Sequence, residues 1–140
     1  MFDTVLIAGL GLMGGSMAKT IKARTLSRVL GWNRTRATAE QALADGSIDA
    51  IATEALYKEA DLVIIGLYPQ ATVDWLLENM PKMKKGCVIV DMVGVKQLWS
   101  IIWNRRRLTP VCTTSAVTRW RAVSSPVWII RCRPCLTVRA

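Results

Sequence analysis

The chain has 140 residues, 51% hydrophobic and 21% charged, enough for one domain with a real core and too apolar for a disordered tail. No apolar run approaches the roughly 18 residues of a membrane span, and Met1-Phe2-Asp3 lacks the basic start of a signal peptide. Four cysteines without such a signal point to reduced thiols and a cytoplasmic setting.

The net charge of +9 suggests nucleic acid, but its distribution does not. Residues 1–97 carry eleven basic and ten acidic side chains, whereas residues 98–140 carry eight arginines and no acid. All nine glycines precede Val95, and four of the six tryptophans follow Gln97. Two compositions meet near Leu98. Residues 1–97 are read as one folded domain, and residues 98–140 as an aberrant basic tail without a defined fold.

In chain order, residues 4–8 (TVLIA) form a short apolar run entering a glycine turn, as a buried parallel strand does. Residues 12–23 place Met13, Met17, Ala18 and Ile21 at helical spacing. A second strand is predicted over 28–32, a helix over 35–45 ending at Gly46, and a weak third strand over 48–53. A short helix over 56–60 precedes a strong fourth strand at 62–67 (LVIIGL). Pro69 begins a turn into a helix over 72–80, and residues 87–91 (CVIVD) are the fifth strand. This alternation predicts an α/β fold, a truncated Rossmann-type doubly wound parallel sheet of about five strands. Its fifth strand is expected to present an unpaired outer edge.

The sharpest motif is Gly9-Leu10-Gly11-Leu12-Met13-Gly14, a GxGxxG that follows the first strand and opens a helix. Gly9 allows the tight turn, Gly11 the close approach of a pyrophosphate, and Gly14 close helix–strand packing. About 20 residues on, such domains place an acid on the ribose of NAD. Here the second strand ends in Asn33, followed by Arg34 and Thr35. A neutral amide beside a guanidinium favours a 2′-phosphate, hence NADP over NAD.

GLGLMGGS (residues 9–16), LGWNR (30–34), GLYPQAT (66–72) and VDMVGVK (90–96) together resemble the N-terminal half of prephenate dehydrogenase. The resemblance implies an NAD(P)-dependent oxidative decarboxylation of prephenate to 4-hydroxyphenylpyruvate, on the way to tyrosine. Arogenate and 3-hydroxyacid dehydrogenases are the alternatives on the same half-fold. It adds Leu67, Tyr68, Pro69, Val93 and Gly94 to the expected cofactor contacts. Family members often carry a serine where Gly94 stands, and Lys96 matches the family's lysine.

The family continues into a signature, GGHPMAG, whose histidine contacts the substrate and acts as base. This chain has no histidine. Yet residues 114–127 (TSAVTRWRAVSSPV), read one base out of register with permitted codons, yield IGGHPMAGREFSG, 13 consecutive positions. Trp103-Asn104 and Trp128-Ile129 then decode to Glu and Asp, returning the missing acids. A frameshift close to Leu98 explains the arginine and tryptophan excess together with the lost glycines.

On this reading no residue of the chain carries a catalytic role. The catalytic histidine and the helical C-terminal domain that binds the substrate carboxylate and forms the homodimer are expected to be missing, leaving dinucleotide binding. Cys132-Arg133-Pro134-Cys135 is a single CxxC without a second ligand pair, too little for a metal site. The arginines at 105–107, 119 and 121 could bind phosphate backbones without specificity.

Overall fold

The computed structural model describes residues 2–92, together with the backbone of two further strands at 112–113 and 128–132. Five parallel strands, β1 (Thr4–Ala8), β2 (Arg28–Trp32), β3 (Ala50–Ile51), β4 (Leu62–Ile65) and β5 (Val88–Asp91), are followed by β6 (Cys112–Thr113) and β7 (Trp128–Cys132). The helices are α1 (Leu12–Arg24), α2 (Arg36–Ala44) and α3 (Pro69–Asn79), with 3-10 turns at Leu56–Glu59 and Met80–Lys82. The sheet order is β3-β2-β1-β4-β5-β7-β6. The chain winds outward from β1 to β3, then returns to the other side of β1. The order therefore reverses between β1 and β4.

Alternation along the strands divides the core into two layers. Val5, Ile7, Val29 and Ile64 face Ala18 of α1 and Ala39 of α2, while Leu6, Leu30, Val63, Ile65 and Ile89 face Val73, Trp75 and Leu76 of α3. Burial on both faces is why these strands read as unbroken apolar runs. In the α3 layer Trp75 lies 5.5 Å from Trp32 and 5.8 Å from Tyr57, ring centre to ring centre. Burial first, then Glu54 and Glu78, pushes the Tyr57 hydroxyl up to about 12.

At the amino ends of the strands, carboxylates take up main-chain N–H groups. Asp61 accepts from Asp3 and Thr4 at 3.2 Å each and pairs with Lys84 at 2.5 Å. Asp49 accepts from the Val29 N–H at 2.7 Å and pairs with Lys22 at 2.6 Å. Lys84 above all, with the Thr4 N–H, holds Asp61 below the usual carboxylate range. Burial opposes ionisation of Asp49, but Lys22 and the Val29 N–H outweigh it and its pKa is also lowered.

Several boundaries differ from expectation. The third strand pairs only over Ala50–Ile51, because the Ser47 and Ile48 N–H groups return to the Ala42 carbonyl and close the end of α2. Helix α3 begins at Pro69, not Thr72; proline's fixed φ suits a first helical position, where its missing N–H has no role. Met13, expected on the buried face of α1, is 59% exposed, and Gly14 and Ala18 are the residues buried there.

The outer edge of β5 is not open. Residues 88–91 pair antiparallel with residues 128–131 of β7, and β6 pairs beyond it. The N–H and C=O groups of the last parallel strand are thereby used in a ladder. The arginine run 105–107, Lys96 and Cys135 lie outside the described residues.

Candidate functional site

A crevice of about 530 Å³ opens at the carboxyl end of the sheet, where the strand order reverses between β1 and β4. Ligands of open α/β sheets bind at such a reversal. One wall is Gly11, Leu12 and Met13 at the mouth of α1; the other is Gly66, Leu67, Tyr68 and Pro69, with Met92 beyond β5. A second hollow of about 380 Å³ lies on the far side of the glycine loop, between Ser16 and Lys19 of α1 and Thr38 and Gln41 of α2. Asp45 borders it, held below its ordinary pKa by the Ser47 hydroxyl and N–H and by Lys19.

The loop's shape follows from its glycines. Gly9 has φ +97°, a left-handed conformation, and a Cβ there would come within 2.7 Å of the Gly66 carbonyl oxygen. A Cβ on Gly14 would overlap the Gly9 carbonyl oxygen, so helix and loop touch backbone to backbone. A Cβ on Gly11 would meet nothing within 4 Å. Packing does not require glycine at position 11. The space in front of it is room for something else.

Gly11 is the N-cap of α1, and no side chain caps the helix. Its first-turn N–H groups point out of the helix with no intrahelical acceptor, at the positive end of the helix dipole. Such a mouth suits a phosphate. Leu12 is 94% exposed and Tyr68 87% exposed, so both walls offer apolar surface beside this polar mouth.

The end of β2 reaches the same loop. The Gly9 N–H donates to the Trp32 carbonyl at 2.7 Å, and the Leu10 N–H donates to Asn33 Oδ1 at 3.1 Å. Asn33 Nδ2 donates to the Thr35 carbonyl at 3.1 Å. Thr35 is the N-cap of α2, which likewise has no side-chain cap. Arg34 is exposed and in no ion pair among the described residues, whereas its neighbour Arg36 is held by Glu40 at 2.7 Å.

Most residues singled out in the sequence thus gather at one end of the sheet: the glycine loop, Asn33, Arg34, Thr35, Leu67, Tyr68 and Pro69. Leu10 stands apart, 6% exposed and packed in the core, so it serves the site only through its N–H. Val93 and Gly94 lie outside the described residues. Gly66 and Met92 were missed, although Gly66 carried a signal as the glycine that interrupts an apolar strand at its carboxyl end.

A family profile described as the NAD binding domain of 6-phosphogluconate dehydrogenase matches residues 4–100. No match is found among the curated proteins. Among solved structures, the chain resembles prephenate dehydrogenase from A. aeolicus in complex with hydroxyphenyl propionate and NAD+, at 22% identity and TM-score 0.67 over 74% of this chain and 38% of that one. Synechocystis arogenate dehydrogenase follows at 21% and 0.64, over 81% and 42%. Mycobacterium tuberculosis 3-hydroxyisobutyrate dehydrogenase with L-serine gives 20% and 0.61, over 74% and 38%. The expected likeness to prephenate dehydrogenase holds at the level of fold. The chain spans about two fifths of the length of these structures.

Proposed function

Because the chain belongs to the family of the NAD binding domain of 6-phosphogluconate dehydrogenase, we propose that residues 1–97 are the nucleotide-binding half of an NAD(P)-dependent dehydrogenase acting on prephenate. The observation that carries the proposal is the crevice where the strand order reverses, with an uncapped helix mouth and open space before Gly11. The residues fit a dinucleotide. The first-turn N–H groups of α1 would take the diphosphate, and Leu12, Met13 and Tyr68 would cover the flat face of a ring. A bound nicotinamide supplies hydride acceptance; the chain's own residues hold and orient it and shield it from water.

NADP is the preferred form in this proposal, with NAD as the alternative. Arg34 is exposed and outside any ion pair among the described residues, which leaves its guanidinium available for a 2′-phosphate, and no carboxylate stands at Asn33 to repel one. The A. aeolicus structure contains NAD+, which keeps NAD as the alternative. The likeness to the Synechocystis arogenate dehydrogenase, nearly as strong, makes arogenate the second substrate candidate.

Residues 98–140 are, in this proposal, translated out of frame. The 140 residues contain no histidine to take a hydroxyl proton, and base catalysis contributes about 10²–10⁴-fold. Binding without turnover in the cytoplasm is the function proposed for the chain as it stands. Among the described residues no helix is long and apolar enough to cross a membrane.

Calorimetric titration with NADPH and NADH tests the proposal. NADPH is expected to bind more tightly, and Arg34→Ala to weaken it on the order of tenfold while NADH changes less than about twofold. Absence of binding to either nucleotide by folded protein rejects the proposal. Codons of residues 114–127 that cannot encode the GGHPMAG signature in the neighbouring frame reject the frameshift.

A further inference from the structure

We infer that Asn33 is a positioning residue: its amide holds the glycine loop in shape, so one side chain joins nucleotide choice at the end of β2 to the grip on the diphosphate. The inference deepens the dinucleotide reading above and rests on it.

The parallel ladder between β1 and β2 ends at the pair Ala8 and Trp32. One residue further, the Gly9 N–H still finds the Trp32 carbonyl at 2.7 Å. The left-handed turn at Gly9 then carries the chain off the ladder, and the next N–H, on buried Leu10, has no strand carbonyl ahead of it. A buried N–H needs an acceptor. Asn33 Oδ1 provides it at 3.1 Å.

The other end of the amide fixes which group faces which. Asn33 Nδ2 donates to the Thr35 carbonyl at 3.1 Å, so oxygen must meet the Leu10 N–H and nitrogen the carbonyl. Trp32, the last residue of β2, and Asn33, which follows it, therefore hold consecutive N–H groups of the loop, and the second tie is a side chain. Arg34 lies between Asn33 and Thr35, the residue whose carbonyl the Asn33 amide holds. An alanine at position 33 lacks both ties. An aspartate keeps the acceptor for Leu10, loses the donor to Thr35, and adds a charge beside Arg34.

The test uses the full chain with Asn33→Ala, Asn33→Asp and Arg34→Ala, titrated with NADPH and with NADH, and amide hydrogen exchange of Leu10 without nucleotide. Asn33→Ala is expected to weaken both nucleotides on the order of tenfold, with their affinity ratio moving less than about twofold, and to speed Leu10 exchange about tenfold. Asn33→Asp should hold NADH within about threefold of wild type while NADPH binding falls, since the acceptor survives and the charge repels a 2′-phosphate. Arg34→Ala should leave Leu10 exchange unchanged.

Loss of NADPH binding alone in Asn33→Ala, or unaltered Leu10 exchange there, overturns the inference. Should Asn33→Ala not fold, weakened NADH binding by Asn33→Asp overturns it equally. Wild-type protein that binds neither nucleotide rejects the functional reading instead, and Leu10 exchange in Asn33→Ala still decides whether this amide holds the loop.

Discussion

The two ends of the sheet are built to opposite rules. Where β1 and β2 begin, Asp61 and Asp49 each accept main-chain N–H groups and each is matched by a lysine. Where the same strands end, the first turn of α1 has no side-chain cap, and Leu12, Met13 and Tyr68 stand in solvent. Satisfied polar groups make the first end a clamp on the fold. The second end keeps donors and apolar surface in reserve, the usual division in an open α/β sheet between scaffold and binding crevice. Stability and recognition are therefore separable by substitution.

Gly14→Ala should have the largest effect, because it strikes both functions at once. The new methyl overlaps the Gly9 carbonyl oxygen, so stability in urea melts should fall by about 3 kcal/mol and nucleotide binding should vanish. Gly11→Ala sharpens the contrast. With nothing within 4 Å of its Cβ, the variant should melt within about 0.5 kcal/mol of wild type yet bind NADPH about a hundredfold more weakly, the methyl standing where the proposed diphosphate would approach.

Asp61→Asn is the converse and the smallest of the three: a loss of about 1–2 kcal/mol with nucleotide affinity unchanged, since it touches only the amino-end clamp. The same clamp sets an acid limit. Asp61 and Asp49 both have lowered pKa values in the fold, so their stabilisation is complete above the unfolded carboxylate value near 4 and is lost as pH falls through the folded values below it. Urea midpoints should drop over that window in wild type and less steeply in Asp61→Asn.

What could be read from the residues follows from how local each signal is. The bounds of β1 and β2 emerge unchanged because unbroken apolar runs framed by glycine and polar residues belong to strands buried on both faces. The glycine loop was readable because each glycine answers to a backbone demand within a few residues. Met13 was misplaced because helical spacing alone cannot tell which apolar residue meets the sheet and which meets a crevice; Gly14 brings α1 so close to Gly9 that the following turn decides. The tie between Asn33 and Leu10 spans 23 residues and depends on where the ladder ends, so no local pattern announces it. The covered edge of β5 likewise comes from pairing across about 40 residues of chain.

The aromatic trio of Trp32, Trp75 and Tyr57 carries an optical consequence. Two of the chain's indoles lie in van der Waals range of each other, one on the strand end that bears Asn33 and one on the helix that Pro69 opens. Indole emission overlaps the absorption of a reduced nicotinamide, so a reduced cofactor seated between those elements would drain their fluorescence by energy transfer. Excitation of tryptophan should then light the cofactor's own blue emission, and Trp75→Phe should dim that signal without displacing the ligand. The protein carries its own lamp beside the groove.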